Sequence, residues 1–243
     1  MVFEYYKYEP SKDFKELNDL FRLAFPKSTH LIKNPATYQS YLNWLYLNNP
    51  LGLPVGYNAY FEGKLIGHYA CIPSNWSYEN KIYRALLSLN TAVHPNFHRK
   101  GIFSELAENT YNFAEKDGYD FVYGVSNSNS THGFMKLGFS LVGELYLQLC
   151  VLPSFKNMQD DVDKIRLYQT QSDQFVNWRL NRPFTKYSKT ERRIVSKSTT
   201  SVVKVISKEI DINKMGMLFR QELFPSIYFY MGSVKQKKML SVP

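Results

Sequence analysis

The spacing of apolar residues over the first 151 positions predicts alternating strands and helices. Apolar positions recur at helical intervals in residues 11–25, 36–47 and 101–117, while strand-like apolar runs occupy residues 2–8, 57–61, 65–72, 82–93, 121–125 and 140–151. Short connections within residues 57–93 indicate an antiparallel meander. The helix at 101–117 then separates two runs by enough chain for a parallel crossover. The pattern predicts a mixed sheet with helices on both sides.

The remaining third of the chain follows a weaker pattern. Residues 152–163 contain Pro153 and three acidic residues and are predicted to be a linker, which leaves residues 164–243 as a smaller C-terminal lobe. Helices are predicted at 172–180 and 212–222, and strands at 193–196 and 202–206. The tripeptide Leu42-Asn43-Trp44 has an echo in Val176-Asn177-Trp178. The echo is either the trace of an incomplete second copy of the first fold or a chance match.

Composition narrows the class of protein. A hydrophobic fraction of 44% is typical of a globular chain. The net charge of +9 is concentrated in residues 160–243, which hold 16 Lys or Arg against 8 Asp or Glu. That region contains no recognition-helix, zinc or aromatic-platform motif, so a solvated basic face is favoured over a nucleic-acid site.

Location and metal content are also addressed by the sequence. The N-terminus lacks the pattern of a signal peptide, and no apolar run reaches membrane-spanning length, so we expect a cytoplasmic protein with no membrane partner. Cys71 and Cys150 are too few for a disulfide framework and are not spaced as a zinc site, so no metal is predicted. The oligomeric state is left open.

The segment Leu87–Phe103, which reads LSLNTAVHPNFHRKGIF, carries the clearest chemical signal. It predicts a buried strand, a short turn and a basic helix start that contains Gly101. The first amides of a helix lack intrahelical acceptors and lie at the positive end of its dipole, so such a start binds anions. The segment lacks the P-loop pattern of nucleotide hydrolysis and the GxGxxG pattern of hydride transfer, so neither activity is predicted. The predicted ligand is a pyrophosphate.

The same segment resembles the GNAT superfamily of acetyl-CoA-dependent N-acetyltransferases. The family's (Q/R)-x-x-G-x-(G/A) signature, which follows a strand ending in V-x-P or V-x-V, is matched by His98-Arg99-Lys100-Gly101-Ile102-Phe103 after Val93-His94-Pro95. Here His98 and Phe103 depart from the pattern at its two ends. The family's N-x-x-(A/S) motif is matched by Asn127-Ser128-Asn129-Ser130, and its L-G-F motif is matched by Leu137-Gly138-Phe139 at the end of a predicted short helix. The resemblance covers residues 1–151 and implies an α+β fold with a mixed, mostly antiparallel GNAT sheet.

The resemblance also implies acetyl-CoA as co-substrate. Amides from His98 to Phe103 would cradle its pyrophosphate, and the preceding strand would pair with the pantetheine arm as with an added strand. Two further residues, Asn127 and Ser130, would contact the arm from the other side. The expected cofactor-binding residues are Thr91, Ala92, Val93, His98, Arg99, Lys100, Gly101, Ile102, Phe103, Asn127 and Ser130.

The catalytic side chains are harder to assign. The resemblance implies that a backbone amide near Val93 polarises the thioester carbonyl. Family members often carry a carboxylate on this strand, whereas this chain offers Asn90, with His68 on the preceding strand as a partner through ordered water. The family's tyrosine before L-G-F is Phe134, so His132 or solvent would supply the acid. The candidate catalytic residues are Asn90, His68 and His132, and a structural role is the alternative for both histidines.

Two functions are compatible with these motifs. The leading hypothesis is an acyltransferase that moves an acetyl group from acetyl-CoA to a small amine, for instance an amino sugar. The alternative is a catalytically degenerate GNAT fold that binds CoA or serves as an interaction module through its basic lobe.

Overall fold

The fold is given by a computed structural model, which describes residues 1–12, 14–26, 34–126, 128–142, 146–150, 168–170, 172–189, 194–197, 202–206, 227–232 and 240–241. The chain divides into two compact units, residues 1–139 with 165–183 and residues 140–164 with 184–243. None of the helices in the described ranges has both the length and the apolar character that crossing a bilayer requires.

The first unit is built on a sheet in which neighbouring strands follow chain order. Its strands are β1 (Glu4–Lys7), β2 (Val55–Phe61), β3 (Lys64–Tyr78), β4 (Lys81–Val93) and β5 (Phe121–Gly124). Strands β1 to β4 pair antiparallel, and β4 pairs parallel with β5. The predicted mixed, mostly antiparallel sheet is therefore confirmed.

The β3–β4 hairpin is longer than the apolar pattern predicted. The two strands remain paired out to Tyr78 and Lys81, and the two loop residues, Glu79 and Asn80, both have positive φ, of 47° and 62°. Two consecutive positive φ values are typical of the tight turn that suits strand twist. The predicted run ended at residue 72, whereas the strand continues through Pro73, which is tolerated there because pairing with β2 stops at Cys71 and leaves that side of β3 as an edge.

Helices cover both faces of this sheet. They are α1 (Phe14–Ala24), α2 (Pro35–Leu42), α3 (Ile102–Lys116) and α4 (Ser128–Lys136), with a π turn at Asn43–Leu47 and a 3₁₀ turn at Pro95–Phe97. The start of α2 is fixed by Asn34, whose side chain accepts the amide hydrogens of Ala36 and Thr37. The helix at 101–117 and the helix that ends in L-G-F are both confirmed.

Two buried clusters hold the first unit together. One joins α1 and α2 to the sheet through residues such as Leu17, Leu42 and Tyr46, and the other joins α3 through Ile102 and Leu106. The helix lies close to β3 because position 67 is glycine. A Cβ there would lie 2.8 Å from Ile102 Cγ2.

A segment far along the sequence completes the first unit. Strand β7 (Tyr168–Gln169) pairs with the end of β3, and helix α5 (Asp173–Leu180) follows it. The indoles of Trp44 and Trp178 stack with centroids 4.9 Å apart, and each Nε1 donates to the other's carbonyl at 2.7 Å. The two tripeptides of the sequence echo therefore contact each other with near-reciprocal geometry.

The second unit contains a sheet of its own. Its strands are β6 (Tyr146–Cys150), β8 (Lys186–Lys189), β9 (Ile194–Lys197), β10 (Val202–Ile206), β11 (Ile227–Gly232) and β12 (Leu240–Ser241), in the order β12-β6-β11-β10-β9-β8. The directions of β8 to β11 repeat those of β2 to β5: two antiparallel pairs, then a parallel pair.

Some predictions about the last third stay predictions. The linker 152–163 and the helix 212–222 lie outside the described residues. The domain boundaries 1–151 and 164–243 and the incomplete second copy also remain hypotheses. Strand β6, expected to continue the first sheet, pairs instead with β11 and β12, because strand partners are set by tertiary contacts rather than by chain order.

Candidate active site

The pairing of the parallel strands β4 and β5 ends partway along β4. Their last pair is Ser88 with Gly124, whereas β4 continues to Val93. Within the described residues, no strand therefore pairs with Leu89–Val93 on the β5 side. An open strand edge of this kind offers backbone donors and acceptors to an extended ligand.

The helix that follows β4 begins with an unusual backbone. Gly101 is its N-cap with φ of 77°, and no side chain caps the helix. Arg99 also has positive φ, 61°. A Cβ at Gly101 would meet nothing within 4 Å, so its φ rather than a lack of space favours glycine there. The loop leaves the first amides of α3 available to an anion.

The basic side chains of this loop differ in their surroundings. His98 uses Nε2 to contact the Val93 carbonyl at 3.0 Å, which ties the loop back to the end of β4. Lys100 directs Nζ toward Met1 Sδ and the Phe97 ring. Arg99 is exposed and lines the cavity beside the loop. Of the three, Arg99 is best placed to pair with a phosphate.

A cavity of about 660 Å³ joins the loop to the open edge of β4. It is lined by ten of the residues that the sequence indicated: Asn90, Thr91, Ala92, Val93, His98, Arg99, Gly101, Ile102, Phe103 and Ser130. Lys100 is not part of the lining, and Asn127 lies outside the described residues.

A β-bulge lies at Asn90, one of the residues that line this cavity. Asn90 and Thr91 together oppose the single residue Tyr69, and Asn90 has φ of 51°. Its side-chain Nδ2 donates to the hydroxyl of fully buried Tyr46 at 2.7 Å. The amide is thereby fixed in one orientation. Asparagine is among the few residues that accept this backbone conformation readily.

The two candidate histidines lie elsewhere. His68 is fully buried behind β4, with Nδ1 2.7 Å from Asn58 Oδ1 and with Nε2 lacking a partner among the described residues. Burial lowers the pKa of His68 to about 3, so the ring is neutral. His132 is exposed on α4. Neither lines the cavity, in contrast to Asn90.

Two departures from the family pattern, at Phe103 and Phe134, are accommodated by packing. A Cβ at Gly133 would lie 3.0 Å from Phe103 Cε1, so the glycine makes room for the Phe103 ring. Phe134 contacts Phe103 and Phe139 edge to face, at 5.5 and 5.1 Å. The Leu137-Gly138-Phe139 run ends α4, with amides of Gly138 and Phe139 donating to Met135 and Phe134.

The cavity also contains residues that the sequence did not single out as site residues. They include Phe25 directly after α1, Ser88 at the point where β4 and β5 separate, Phe97 in the 3₁₀ turn and Val125 after β5. Phe25 and Val125 are 41% and 71% exposed, so both offer apolar surface to a ligand. For Phe25 the sequence signal was weak, because an aromatic residue at a helix end reads as core.

Comparisons with known proteins agree with this geometry. A family model described as an acetyltransferase (GNAT) domain matches residues 6–142. No curated protein matches the chain. A conserved Enterococcus faecalis protein, described as a probable N-acyltransferase, shares the fold with a TM-score of 0.69 at 11% identity, over 98% of this chain and 67% of its own.

Two further solved structures are similar over the first part of the chain. A predicted acetyltransferase from Clostridium acetobutylicum, described with acetyl-CoA, aligns with a TM-score of 0.48 at 19% identity, over 59% of this chain and 93% of its own. Glucosamine-6-phosphate N-acetyltransferase from Arabidopsis thaliana aligns with a TM-score of 0.47 at 16% identity, over 59% and 95%. The match of the family model to more than half of the sequence decides the assignment: the chain belongs to the GNAT acetyltransferase family.

Proposed function

We propose that this protein transfers an acetyl group from acetyl-CoA to the primary amine of a small acceptor. The observation that carries the proposal is the junction of the open β4 edge with the uncapped start of α3 in one cavity. A pyrophosphate at the helix start and an extended arm along the strand edge are the two parts of CoA that such a junction fits.

The cofactor's contacts follow from this placement. The amides from Gly101 to Phe103 would hold the pyrophosphate, with Arg99 adding charge at the rim. Backbone groups of Thr91, Ala92 and Val93 would pair with the pantetheine arm, and a backbone amide at this strand end would polarise the thioester carbonyl. Ser130 would contact the arm from α4, together with Asn127.

The acceptor side is defined by Asn90 and by apolar walls. With Nδ2 held by Tyr46, Oδ1 of Asn90 can accept an N–H of the incoming amine and orient its lone pair. The described lining contains Phe25, Leu89 and Val125 and no carboxylate. These features support a small amine with an apolar body over a polycation. The amino sugar remains a prediction that an acceptor panel must test.

Phe134 favours a second candidate, a CoA-binding module without turnover. Its phenyl ring lines the cavity where the family commonly places a tyrosine, and a phenyl ring cannot give a proton to the leaving thiolate. This candidate predicts binding of CoA without thiol release for any amine. It also predicts salt-sensitive association of the basic C-terminal lobe with a polyanion.

Thermal unfolding with acetyl-CoA, followed by thiol release, tests the proposal. Ligand at about 100 times Kd should add roughly 2.7 kcal/mol of stability. Arg99→Ala should weaken binding by up to about fivefold, the upper end of the range for an exposed charge pair, whereas Lys100→Ala serves as the matched control. A panel containing glucosamine and benzylamine should release thiol from at least one acceptor. The absence of stabilisation by acetyl-CoA or longer acyl-CoAs contradicts the proposal, and stabilisation without release selects the second candidate.

A further inference from the structure

Ser88 is the polar side chain at the point where the two parallel strands separate. It is 8% exposed, lines the cavity and pairs with Gly124, the last residue of β5. A Cβ at Gly124 would lie 3.3 Å from that of Ser88, so the cavity is narrow at its apex, the point where the two strands separate. An extended ligand that enters along Val93 toward Leu89 ends at this apex. The terminal reactive group of such a ligand would therefore lie beside Ser88.

A chain of hydroxyl groups leads to Ser88 from inside the protein. Tyr69 donates to Ser88 Oγ at 2.7 Å, and the hydroxyls of Tyr69 and Tyr111 are 2.8 Å apart. Tyr69 has one hydroxyl hydrogen and gives it to Ser88, so Tyr111 must be the donor in the second bond. The chain therefore runs in one direction. It leaves the hydrogen of Ser88 for another acceptor and strengthens it as a donor through polarisation.

Cys71 is the competing acceptor near this chain. Burial raises the pKa of the Cys71 thiol to about 12, and the hydroxyls of Tyr69 and Ser88 offset part of that rise. The sulfur is consequently a neutral thiol, which is a weak acceptor. A thiolate at the apex accepts a hydrogen bond much more strongly than the neutral Cys71 thiol does, because it carries a full negative charge. Burial also raises the pKa values of Tyr69 and Tyr111, so both remain donors.

We propose that Ser88, aligned by Tyr69 and Tyr111, donates a hydrogen bond to the CoA sulfur as it leaves. This rests on the proposed acetyl transfer. The amine nitrogen forms a bond to the thioester carbon, the carbon–sulfur bond breaks, and its electron pair stays on sulfur. The nitrogen loses its proton to solvent, and the hydrogen-bonded thiolate later takes one from solvent. Ser88 thus serves the leaving group at a site where Phe134 has no hydroxyl.

Titration of the bound CoA thiol tests the proposal without turnover. Thiolate ultraviolet absorbance is followed against pH for CoA bound to the protein, with the S-methyl-CoA complex as blank. Loss of a hydrogen bond to the thiolate should raise the thiol pKa by about 1 in Ser88→Ala, since such bonds are worth about 1.5 kcal/mol or more. Tyr111→Phe, which leaves the cavity wall intact, should give a smaller rise. Tyr119→Phe, outside the hydroxyl chain, should give none.

Kinetics provide a second measurement on the same variants. If the protein turns over an amine, Ser88→Ala should lower kcat about tenfold with little change in KM for acetyl-CoA, the value expected from the same hydrogen bond. A thiol that titrates identically in the wild-type protein and in both Ser88→Ala and Tyr111→Phe overturns the inference while leaving the proposed function intact. Failure of CoA to bind the wild-type protein overturns the proposed function and the inference together.

Discussion

The two ends of the cavity depend on different parts of the chain. At the cofactor end, the loop before α3 works through backbone: a left-handed Gly101, an uncapped helix start and an open strand edge. At the chemical end, around Asn90, Ser88 and Phe134, the side chains decide what can happen. Departures from the family signature at the first end leave its geometry intact, whereas those at the second remove functional groups. We therefore expect binding of the proposed cofactor to tolerate substitution better than the proposed chemistry does.

Asn90→Gly should break the chemical end with the largest effect. Glycine keeps the positive φ of the bulge but removes the amide that Tyr46 holds. Loss of an oriented group at the reacting centre should lower kcat roughly 100-fold, or about 2.7 kcal/mol, with KM for acetyl-CoA nearly unchanged. Steady-state kinetics check this. Asn80→Gly, at a positive φ in the β3–β4 turn, is the control, and an unchanged kcat in Asn90→Gly would rule out the proposed role of Asn90.

Gly101→Val should damage the cofactor end through its backbone. A β-branched residue at φ of 77° costs about 1–3 kcal/mol, so the loop should rearrange and acetyl-CoA should bind about tenfold more weakly. Gly63 offers a matched control, because it has φ of 72° and open space around its Cβ position but lies in the β2–β3 turn. Calorimetry should show weaker binding only for Gly101→Val. Equal affinities in the two variants would argue that the loop does not hold the cofactor.

Acidity should act on the core behind the chemical end more than on the exposed loop. The pKa of His68 is lowered to about 3 by burial, while its unfolded value is near 6.5, so the unfolded state binds the proton first as pH falls. Stability is therefore lost below about pH 6.5, by roughly 1.4 kcal/mol between pH 7.5 and 5.5.

Urea unfolding of the wild-type protein and His68→Gln at both pH values measures that contribution. The variant should lack this part of the pH dependence, because glutamine does not titrate. His132→Gln, at an exposed site, should retain it. If His68→Gln loses as much unfolding free energy between pH 7.5 and 5.5 as the wild-type protein, the buried His68 ring is not the source of the pH dependence.

The sequence predicted the elements that depend on local pattern and failed where distant parts of the chain decide the outcome. The α3 start, the L-G-F helix end and the parallel β4–β5 pair follow from capping, glycine and spacing, and all are present. Strand β6, predicted as the last strand of the first domain, pairs instead with β11, a partner that local pattern cannot reveal.

The site shows the same division. Backbone-dependent positions such as Gly101 and Thr91 line the cavity as expected, because a motif fixes them. Ser88 lies within the predicted strand, but its hydroxyl partners Tyr69 and Tyr111 lie 19 positions before it and 23 positions after it in the sequence, so the chain of hydroxyls appears only in the folded protein. His68 was placed on the correct strand, yet alternation alone could not show that its ring lies away from the cavity.

The reciprocal contact of Trp44 with Trp178 bears on how this protein can be divided. The family match ends at residue 142, but Trp178, whose indole covers that of Trp44 and whose backbone carbonyl accepts its hydrogen bond, lies 36 positions later. A fragment cut at the family boundary would deprive the Trp44 Nε1 donor and the Trp44 carbonyl acceptor of their Trp178 partners and would expose the face of the Trp44 ring that Trp178 covers. We therefore expect a fragment limited to the family match to fold less well than one that extends through α5.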